Sequence, residues 1–166
     1  MIGCGGHAKV LISILHKAGW DILGYTDRQD RGDILDVPWI GKDDILTTVI
    51  REHPLCRAIV GVGKIDTSSL RLDLQDRIEQ MEFEFPAVVS PHAVVNRDVQ
   101  LGAGTLVCDG AVVNSGVVTG RACIINSNST VEHDCRLGDN VHIAPGATIS
   151  GGVKVRDRLS SLWECA

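Results

Sequence analysis

Aromatic side chains are scarce in this chain and absent from its middle. Only six of the 166 residues are Phe, Trp or Tyr. Five of the six precede Pro86 and the last is Trp163, so the stretch between these two positions has none. Any core in that stretch must be filled by aliphatic side chains. The composition therefore divides the chain into two parts that fold differently.

The sequence also lacks an excess of positive charge, a long apolar run and a signal peptide. Lys and Arg number 16 against 21 Asp and Glu, a net charge of −5. That balance excludes a strongly basic surface and disfavours nucleic acid and anionic membranes as partners. No apolar run approaches the roughly 18 residues needed to span a bilayer. We therefore expect a soluble, cytoplasmic protein whose six cysteines are reduced thiols.

The first segment, residues 1–86, alternates predicted strands and helices. Gly3, Gly5 and Ala8 have the G-x-G-x-x-[GA] spacing, and apolar residues then recur at helical period. Asp27 ends the next strand, where a carboxylate meets a ribose hydroxyl in nucleotide-binding folds. Further helices are predicted at 43–52 and 70–81, and extended pieces at 22–26, 57–63 and 83–89. This order predicts a small Rossmann-like parallel sheet with helices on its faces, although only Met1 and Ile2 precede the turn as its first strand.

The glycine turn favours a phosphate ligand, because the backbone can approach closely and the helix N-terminus offers unpaired N–H groups. The alternative is a tight strand-to-helix turn that binds nothing. A segment of 86 residues lacks the second half of a dinucleotide site, so a mononucleotide or sugar nucleotide is the better prediction. His7, inside the turn, is either a phosphate donor or a helix cap.

The second segment, residues 87–160, repeats every six residues. One position of the repeat is aliphatic in all but one case, and the position four residues later is small or β-branched. The aliphatic set is Val89, Val95, Leu101, Val107, Val113, Thr119, Ile125, Val131, Leu137, Ile143, Ile149 and Val155. Three hexapeptides close one triangular coil of a parallel β-helix, so the segment predicts about four coils. Cys123 and Cys135 then point into the core as small hydrophobes.

Polar residues concentrate in one part of the repeats, from Asn126 to Cys135. His133 stands there between two carboxylates, and a neutral imidazole so placed is suited to take a proton near pH 7. His142 follows half a coil later, and both histidines are candidates for an interface between subunits. The alternatives are a surface histidine without a role and a zinc site. The zinc site is disfavoured because Cys135 points inward and no C-x-x-C or H-x-x-x-H pair is present, so we expect no metal.

Several motifs in order resemble the family of sialic acid O-acetyltransferases and UDP-4-amino-sugar N-acetyltransferases. They are the start Gly-Cys-Gly-Gly-His-Ala-Lys-Val, Asp27, Gly61-Val-Gly63, Ser90-Pro-His-Ala-Val-Val, the hexapeptides, and Val131-Glu-His-Asp-Cys followed by Gly138-Asp-Asn-Val-His-Ile-Ala-Pro-Gly-Ala. The resemblance spans residues 1–157. It implies an α/β domain followed by an all-β left-handed β-helix, a homotrimer, acetyl-CoA as the donor, and a nucleotide-linked amino sugar or sialic acid as the acceptor.

The resemblance also implies roles for individual residues. By motif position, His133 resembles the general base, with Asp134 raising its basicity. Asn126 and His142 look like the family's contacts to the thioester acetyl group, and Gly151 like part of the coenzyme groove. The positions that match the family's sugar-nucleotide site are Gly5, Gly6, His7, Asp27 and Gly63.

The C-terminal tail, residues 161–166, departs from the family pattern. The hexapeptide count puts Ser161 at the next core position and Trp163 where a small polar residue is expected. We expect a truncation, a reading-frame change or a short natural cap. Three functions follow: N-acetylation of a nucleotide-linked amino sugar, O-acetylation of sialic acid, or a truncated, non-catalytic trimeric module. The glycine turn and Asp27 favour the first.

Overall fold

The computed structural model describes residues 1–63 and 69–162. In the described part of the first segment there are three helices and two short strands. They are α1 (Gly6–Lys17), β1 (Tyr25–Thr26), β2 (Trp39–Gly41), α2 (Leu46–Glu52), which a 3-10 turn at Asp43–Ile45 precedes, and α3 (Leu70–Glu79). None of the helices in the described ranges is long and apolar enough to cross a membrane.

The parallel sheet of the first segment is built around Ile2. This residue pairs in parallel with Thr26 on one side and Val60 on the other, and β1 pairs in parallel with β2. The order places the glycine turn, which follows Ile2, at the carboxyl edge in the middle of the sheet, where open α/β sheets bind ligands. The predicted α/β fold is confirmed. Its strands are shorter than predicted, because the central strand offers only Met1 and Ile2 as pairing partners.

The second segment consists of short strands six residues apart, except around position 100, where Gln100 forms only an isolated parallel bridge with Val118. They are β3 (Val88–Val89), β4 (Val94–Val95), β5 (Leu106–Val107), β6 (Val112–Val113), β7 (Val118–Thr119), β8 (Ile124–Ile125), β9 (Thr130–Val131), β10 (Arg136–Leu137), β11 (His142–Ile143), β12 (Thr148–Ile149), β13 (Lys154–Val155) and β14 (Ser160–Leu162). They form three parallel sheets, ordered β13-β10-β7, β14-β11-β8-β5-β3 and β12-β9-β6-β4.

The pairing register shows the predicted coil. Val88 pairs with Leu106, Leu106 with Ile124, and Ile124 with His142, so each strand lies on the strand three hexapeptides away. Each side of the triangular coil is one of the three sheets. The predicted left-handed β-helix is confirmed.

One continuous aliphatic core fills the coils. Both repeat positions face it: Val113, Ile125 and Ile143 from the aliphatic set are fully buried, as are Cys123 and Cys135 from the small set. These thiols therefore pack as small hydrophobes, as predicted.

Thr119 is the one hydroxyl in the aliphatic series, and the structure shows how its polar atom is accommodated. Its Oγ1 accepts the Gly102 N–H at 3.0 Å and donates to the Gly120 carbonyl at 3.1 Å. The hydroxyl therefore enters the core without an unsatisfied polar group.

The corners of the coil explain the glycine content. A left-handed φ recurs every six residues, at Gly104, Gly110, Gly116, Ala122, Asn128, Asp134, Asn140, Gly146, Gly152 and Arg158. Gly, Asn and Asp tolerate this conformation best. Asp134, next to the candidate base His133, is therefore a corner residue.

The two segments share a packed interface. Leu11, Ile14 and Leu15 of α1 lie in one apolar cluster with Val88 and Leu106 of the coil. At a second point of contact, α3 reaches the coil through a buried arginine, Arg71, and through ion pairs that Arg121 makes with Asp76 and Glu79. The glycine turn is thereby held at a set position relative to the coil.

The register changes at the last strand. β14 pairs with β11 through an irregularity that sets Ser160 opposite His142 and Leu162 opposite Ile143. The hexapeptide count predicted that Ser161 would follow in the aliphatic series, but the extra residue puts Leu162 at that place in the register. Trp163 and the remainder of the predicted tail lie outside the described residues.

Candidate active site

His133 lies at the corner between β9 and β10, with its side chain 65% exposed. Its Nδ1 is 2.9 Å from Oδ2 of Asp134. The hydrogen bond and charge of Asp134, with a smaller influence from Glu132, raise the pKa of His133. Because the carboxylate accepts from Nδ1, Nε2 is the ring atom that can exchange a proton with a ligand.

Gly151 lies in the next coil against Nε2 of His133. A Cβ placed on Gly151 would be 2.6 Å from Nε2 and 2.8 Å from Cε1 of the imidazole. The φ of Gly151 lies outside the left-handed region, so the close approach of the imidazole, not the backbone conformation, requires glycine here. The absence of a side chain leaves Nε2 open to a ligand.

Asn126 and His142 form a second polar pair. Asn126 follows β8, His142 opens β11 one coil later, and their Nδ2 and Nε2 atoms are 3.0 Å apart. Both side chains are half-buried. Within one chain this pair occupies a different side of the triangular coil from His133, which follows β9. The structure therefore brings Asn126 and His142 together but sets them apart from the His133–Asp134 pair.

His7 connects the glycine turn with the coil. Burial, and after it the charges of Arg71 and His142, lower its pKa to about 3, so His7 is neutral at physiological pH. Its Nε2 is buried and has no hydrogen-bond partner among the described residues. A Cβ on Gly63 would lie 3.1 Å from Cβ of His7, so Gly63 allows the loop after Val60 to close over this histidine.

Gly5 and Gly6 form the open part of the turn. Gly5 is the N-cap of α1 and Gly6 its first residue, and no side-chain cap is found among the described residues. Both glycines are exposed, and added Cβ atoms there would meet no described atom within 4 Å. An anion can therefore approach the start of this helix. His7 is not the cap of this helix.

Asp27 lies beside the glycine turn, as its position after β1 predicts. Its Oδ2 accepts hydrogen bonds from the amide and the thiol of Cys4, at 3.1 and 2.9 Å. Burial alone would raise the pKa of Asp27, but these bonds and those from neighbouring backbone amides outweigh it and hold the pKa below its usual value. The carboxylate is therefore charged and fixed at the edge of the turn.

A cleft of about 470 Å³ opens beside the glycine turn. Gly5 and Gly6 form part of its wall, and Lys9 and Arg31 bring two positive charges against the one negative charge of Asp33. Neither cation is among the site residues predicted from the sequence. Lys9 had a usable signal, its place in the first turn of the helix after the glycines, whereas Arg31 comes from an irregular loop whose path the sequence does not predict.

No group of three or more His, Cys, Asp or Glu side chains within residues 1–63 and 69–162 is placed to hold a metal ion. The three residues considered as zinc ligands, His133, Cys135 and His142, do not lie together. Cys135 is fully buried in the coil, and its Sγ donates to the Ser150 carbonyl at 3.1 Å. His133 and His142 lie on different sides of the coil.

Comparisons with known proteins identify the family. Residues 1–77 match the model of the PglD N-terminal domain, and residues 116–151 match the model of bacterial transferase hexapeptide repeats. The structure is similar to a His-to-Asn variant of perosamine N-acetyltransferase from Caulobacter crescentus, solved in complex with CoA and GDP-perosamine. The two share 35% identity over 96% of this chain and 74% of that one, with a TM-score of 0.88. The chain belongs to the family of hexapeptide-repeat acetyltransferases.

A second member of this acetyltransferase family is similar over nearly the same length. It is the acetyltransferase domain of PglB from Neisseria gonorrhoeae, solved in complex with acetyl coenzyme A, with 31% identity over 92% of this chain and 73% of that one and a TM-score of 0.84. WeeI from Acinetobacter baumannii shares the fold, with a TM-score of 0.76 at 24% identity over 94% of this chain and 73% of that one. A search of curated protein sequences found no match. The family assignment makes this chain an acyltransferase.

Proposed function

We propose that this acyltransferase moves an acetyl group from acetyl-CoA to the amine of a nucleotide-linked amino sugar, with His133 as the general base. The observation that carries the proposal is the His133–Asp134 pair, whose Nε2 faces outward over the bare backbone of Gly151. Two similar proteins support the ligands, since one was solved with CoA and GDP-perosamine and the other with acetyl coenzyme A.

His133 would take the proton from the acceptor amine at Nε2 as the nitrogen attacks. Asp134 holds the other ring nitrogen and stabilises the imidazolium that forms. The raised pKa of His133 makes it a stronger base than a free imidazole, provided that the pH keeps it neutral. Activity should therefore fall as the pH drops through this raised pKa.

The residues around His133 fit the end of the coenzyme that carries the acetyl group. Acetyl-CoA supplies an activated acetyl group, whose thioester C–S bond breaks as the new N–C bond forms. The open space over Gly151 admits a group next to Nε2, which a side chain there would block. Asn126 and His142, 3.0 Å apart, would lie beside the acetyl group, and the second N–H of the Asn126 amide would donate to the acetyl oxygen and stabilise the charge that develops on it.

We assign the sugar nucleotide to the first segment. Gly5, Gly6 and the helix N-terminus would take a phosphate, with the charges of Lys9 and Arg31 in the same cleft. Asp27 would accept a ribose hydroxyl. His7, whose Nε2 has no partner within residues 1–63 and 69–162 and on which Gly63 packs, would contact the sugar between the turn and the coil.

The separation of the two polar pairs supports a homotrimer. Within one chain, His133 lies on a different side of the coil from Asn126 and His142. A site that uses all three therefore needs a second copy of the chain to bring Asn126 and His142 to His133. We also propose a cytoplasmic location, because both proposed substrates, a CoA thioester and a sugar nucleotide, are intracellular metabolites.

Acetyl transfer should be measured side by side with a UDP- or GDP-linked 4-amino sugar and with sialic acid, together with a calorimetric titration of CoA. We expect turnover of the amino sugar. His133→Ala should lower kcat by about 10²–10⁴-fold and leave the oligomeric state unchanged. His92→Ala, at an exposed histidine of the first coil, should stay within about twofold of the native protein.

The outcomes separate the alternatives. Transfer to sialic acid alone would favour O-acetylation, and absence of CoA binding would favour a module without catalysis. Near-native turnover by His133→Ala would exclude His133 as the base.

A further inference from the structure

The carboxylate of Asp134 rests on a corner of the coil below it. The Ser115 carbonyl accepts the Asp134 amide N–H at 2.9 Å. Oδ1 of Asp134 lies over Gly116, where a Cβ atom would be only 2.6 Å from it. Oδ2 of the same carboxylate contacts His133. The space above Gly116 therefore decides where the carboxylate lies and whether it reaches the imidazole.

Asp98 holds this corner from one coil further down. Its Oδ2 accepts the Gly116 N–H at 2.9 Å, and its Oδ1 accepts the Ser115 hydroxyl at 3.0 Å. In the coil above, the equivalent amide, that of Asp134, donates to a backbone carbonyl instead. A carboxylate thus replaces the backbone acceptor at the base of this column, and hydrogen bonds to a charged acceptor are stronger than neutral ones.

We propose that Asp98 and Gly116 are positioning residues that seat Asp134 against Nδ1 of His133. The inference rests on the proposed role of His133 as the base. Neither residue touches the reacting atoms: Asp98 fixes the Ser115–Gly116 corner, and the bare Gly116 gives the carboxylate room to turn toward the imidazole.

The charges around His133 predict the direction of the effect. Asp134 and Glu132 are the acidic groups that face it from its own coil. The corners stacked below and above present Ser115 and Gly151, which carry no charge. Moving the Asp134 carboxylate away therefore removes the main partner of the imidazolium, so the pKa of His133 should fall.

The first test compares Gly116→Ala with Gly110→Ala. The two glycines occupy equivalent corner positions with φ of 74° and 71°, so both alanines strain the backbone alike. A Cβ at Gly110 meets Asn128 rather than Asp134. We expect Gly116→Ala to lower kcat/KM at least tenfold and to move the acid limb of its pH profile to lower pH. Gly110→Ala should change neither by more than about twofold per folded molecule.

A second comparison uses two aspartate variants, which do not strain the backbone. Asp98→Ala removes the exposed carboxylate that holds the Ser115–Gly116 corner. Its control is Asp157→Ala, because the exposed carboxylate of Asp157 accepts the Asp139 amide N–H at 2.9 Å in a different corner. Asp98→Ala should move the acid limb in the same direction as Gly116→Ala, whereas Asp157→Ala should leave it in place.

The pKa of His133 is also measured without turnover, by NMR titration of the protein with ¹³C-labelled histidine and assignment by His133→Ala. If the pKa of His133 falls in Gly116→Ala and Asp98→Ala but not in the two controls, the positioning role of Asp98 and Gly116 is supported. An unchanged pKa in both test variants, or equal shifts in test and control, would overturn it. If the native protein transfers no acetyl group, the proposed function fails while this titration still decides the inference.

Discussion

Neighbours in sequence rarely meet in a β-structure, because successive side chains of a strand point to opposite faces. His133 and Asp134 meet because they occupy a corner where Asp134 adopts a φ of 60°. Asp tolerates this conformation better than most residues. The backbone conformation of this corner thus allows two residues adjacent in sequence to form a hydrogen bond between the base and the carboxylate.

Asp134→Asn tests the charge of this pair. The amide keeps the shape of the side chain but removes the negative charge, so the pKa of His133 should fall toward its ordinary value. Because the base must be neutral, the acid limb of the kcat/KM profile should move to lower pH. The plateau rate should drop by about 10-fold or more, since a weaker base transfers the proton less efficiently. A profile that keeps its acid limb would mean that Asp134 does not set the pKa.

Gly151→Ala tests the open space at Nε2. The added Cβ would be 2.6 Å from His133 Nε2, so the imidazole must move or its ligand is blocked. We expect a loss of at least tenfold in kcat/KM with little change in the melting temperature, because the φ of Gly151 suits alanine. Turnover equal to that of the native protein would show that no ligand group enters there.

At the scale of the element, the coil repeats one corner conformation every six residues. Half of the ten left-handed corners are glycine, and Asn or Asp occupies three more. Ala122 and Arg158 occupy the same conformation. The sequence does not reveal these two positions, because their residue types have no preference for a left-handed φ and only the neighbouring coils impose it.

Gly146→Ala isolates the backbone effect of a corner. Gly146 has a φ of 71°, and a Cβ there would meet nothing within 4 Å. Alanine should therefore destabilise the protein by about 1–2 kcal/mol, from strain alone, while activity per folded molecule is kept. The melting temperature and the activity should be measured for Gly146→Ala and Gly151→Ala together. Gly146→Ala should lose stability, whereas Gly151→Ala should lose turnover. The same melting temperature for Gly146→Ala and the native protein would contradict this account of the corners.

At the scale of the whole molecule, Arg71 joins the two segments. It is 3% exposed, and its guanidinium donates to the carbonyls of Val60 and Val62 in the first segment and of Gly104 and Ala122 in the coil. Burial lowers its pKa to about 10, so it is charged at physiological pH. One side chain thus ties the loop behind the glycine turn to two corners of the coil.

Arg71→Met should destabilise the protein by roughly 3 kcal/mol, because four carbonyls lose their donor and three of these hydrogen bonds are buried. Arg121→Gln is the control at the same interface. Arg121 is partly exposed and pairs with Asp76 and Glu79, so its loss should cost about 1 kcal/mol or less. Denaturant unfolding of both variants measures the difference. Equal losses would mean that the buried bonds of Arg71 contribute no more than the surface pairs.

The amino-acid sequence is enough to predict the architecture. The six-residue period requires a coil whose aliphatic side chains face inward, and the glycine turn between a strand and a helix marks the α/β segment. It also predicted that Asp27 would lie beside the turn, because residues at the carboxyl ends of neighbouring parallel strands share one edge of the sheet.

Which side chains from distant parts of the chain meet depends on how the coils stack and how the two segments dock. Gly151 lies on His133, Gly116 under Asp134, and His7 near His142 because coils stack and because Arg71 docks the segments. The 18-residue coil stacks positions 151 and 116 on residues 133 and 134, but it does not show that bare backbone there meets Nε2 of His133 and Oδ1 of Asp134. It also carries no information on the angle between the two segments, which brings His7 near His142. A repeat predicts which positions stack on one another in neighbouring coils. A site depends in addition on which side chains stand at those positions and which of them stay exposed.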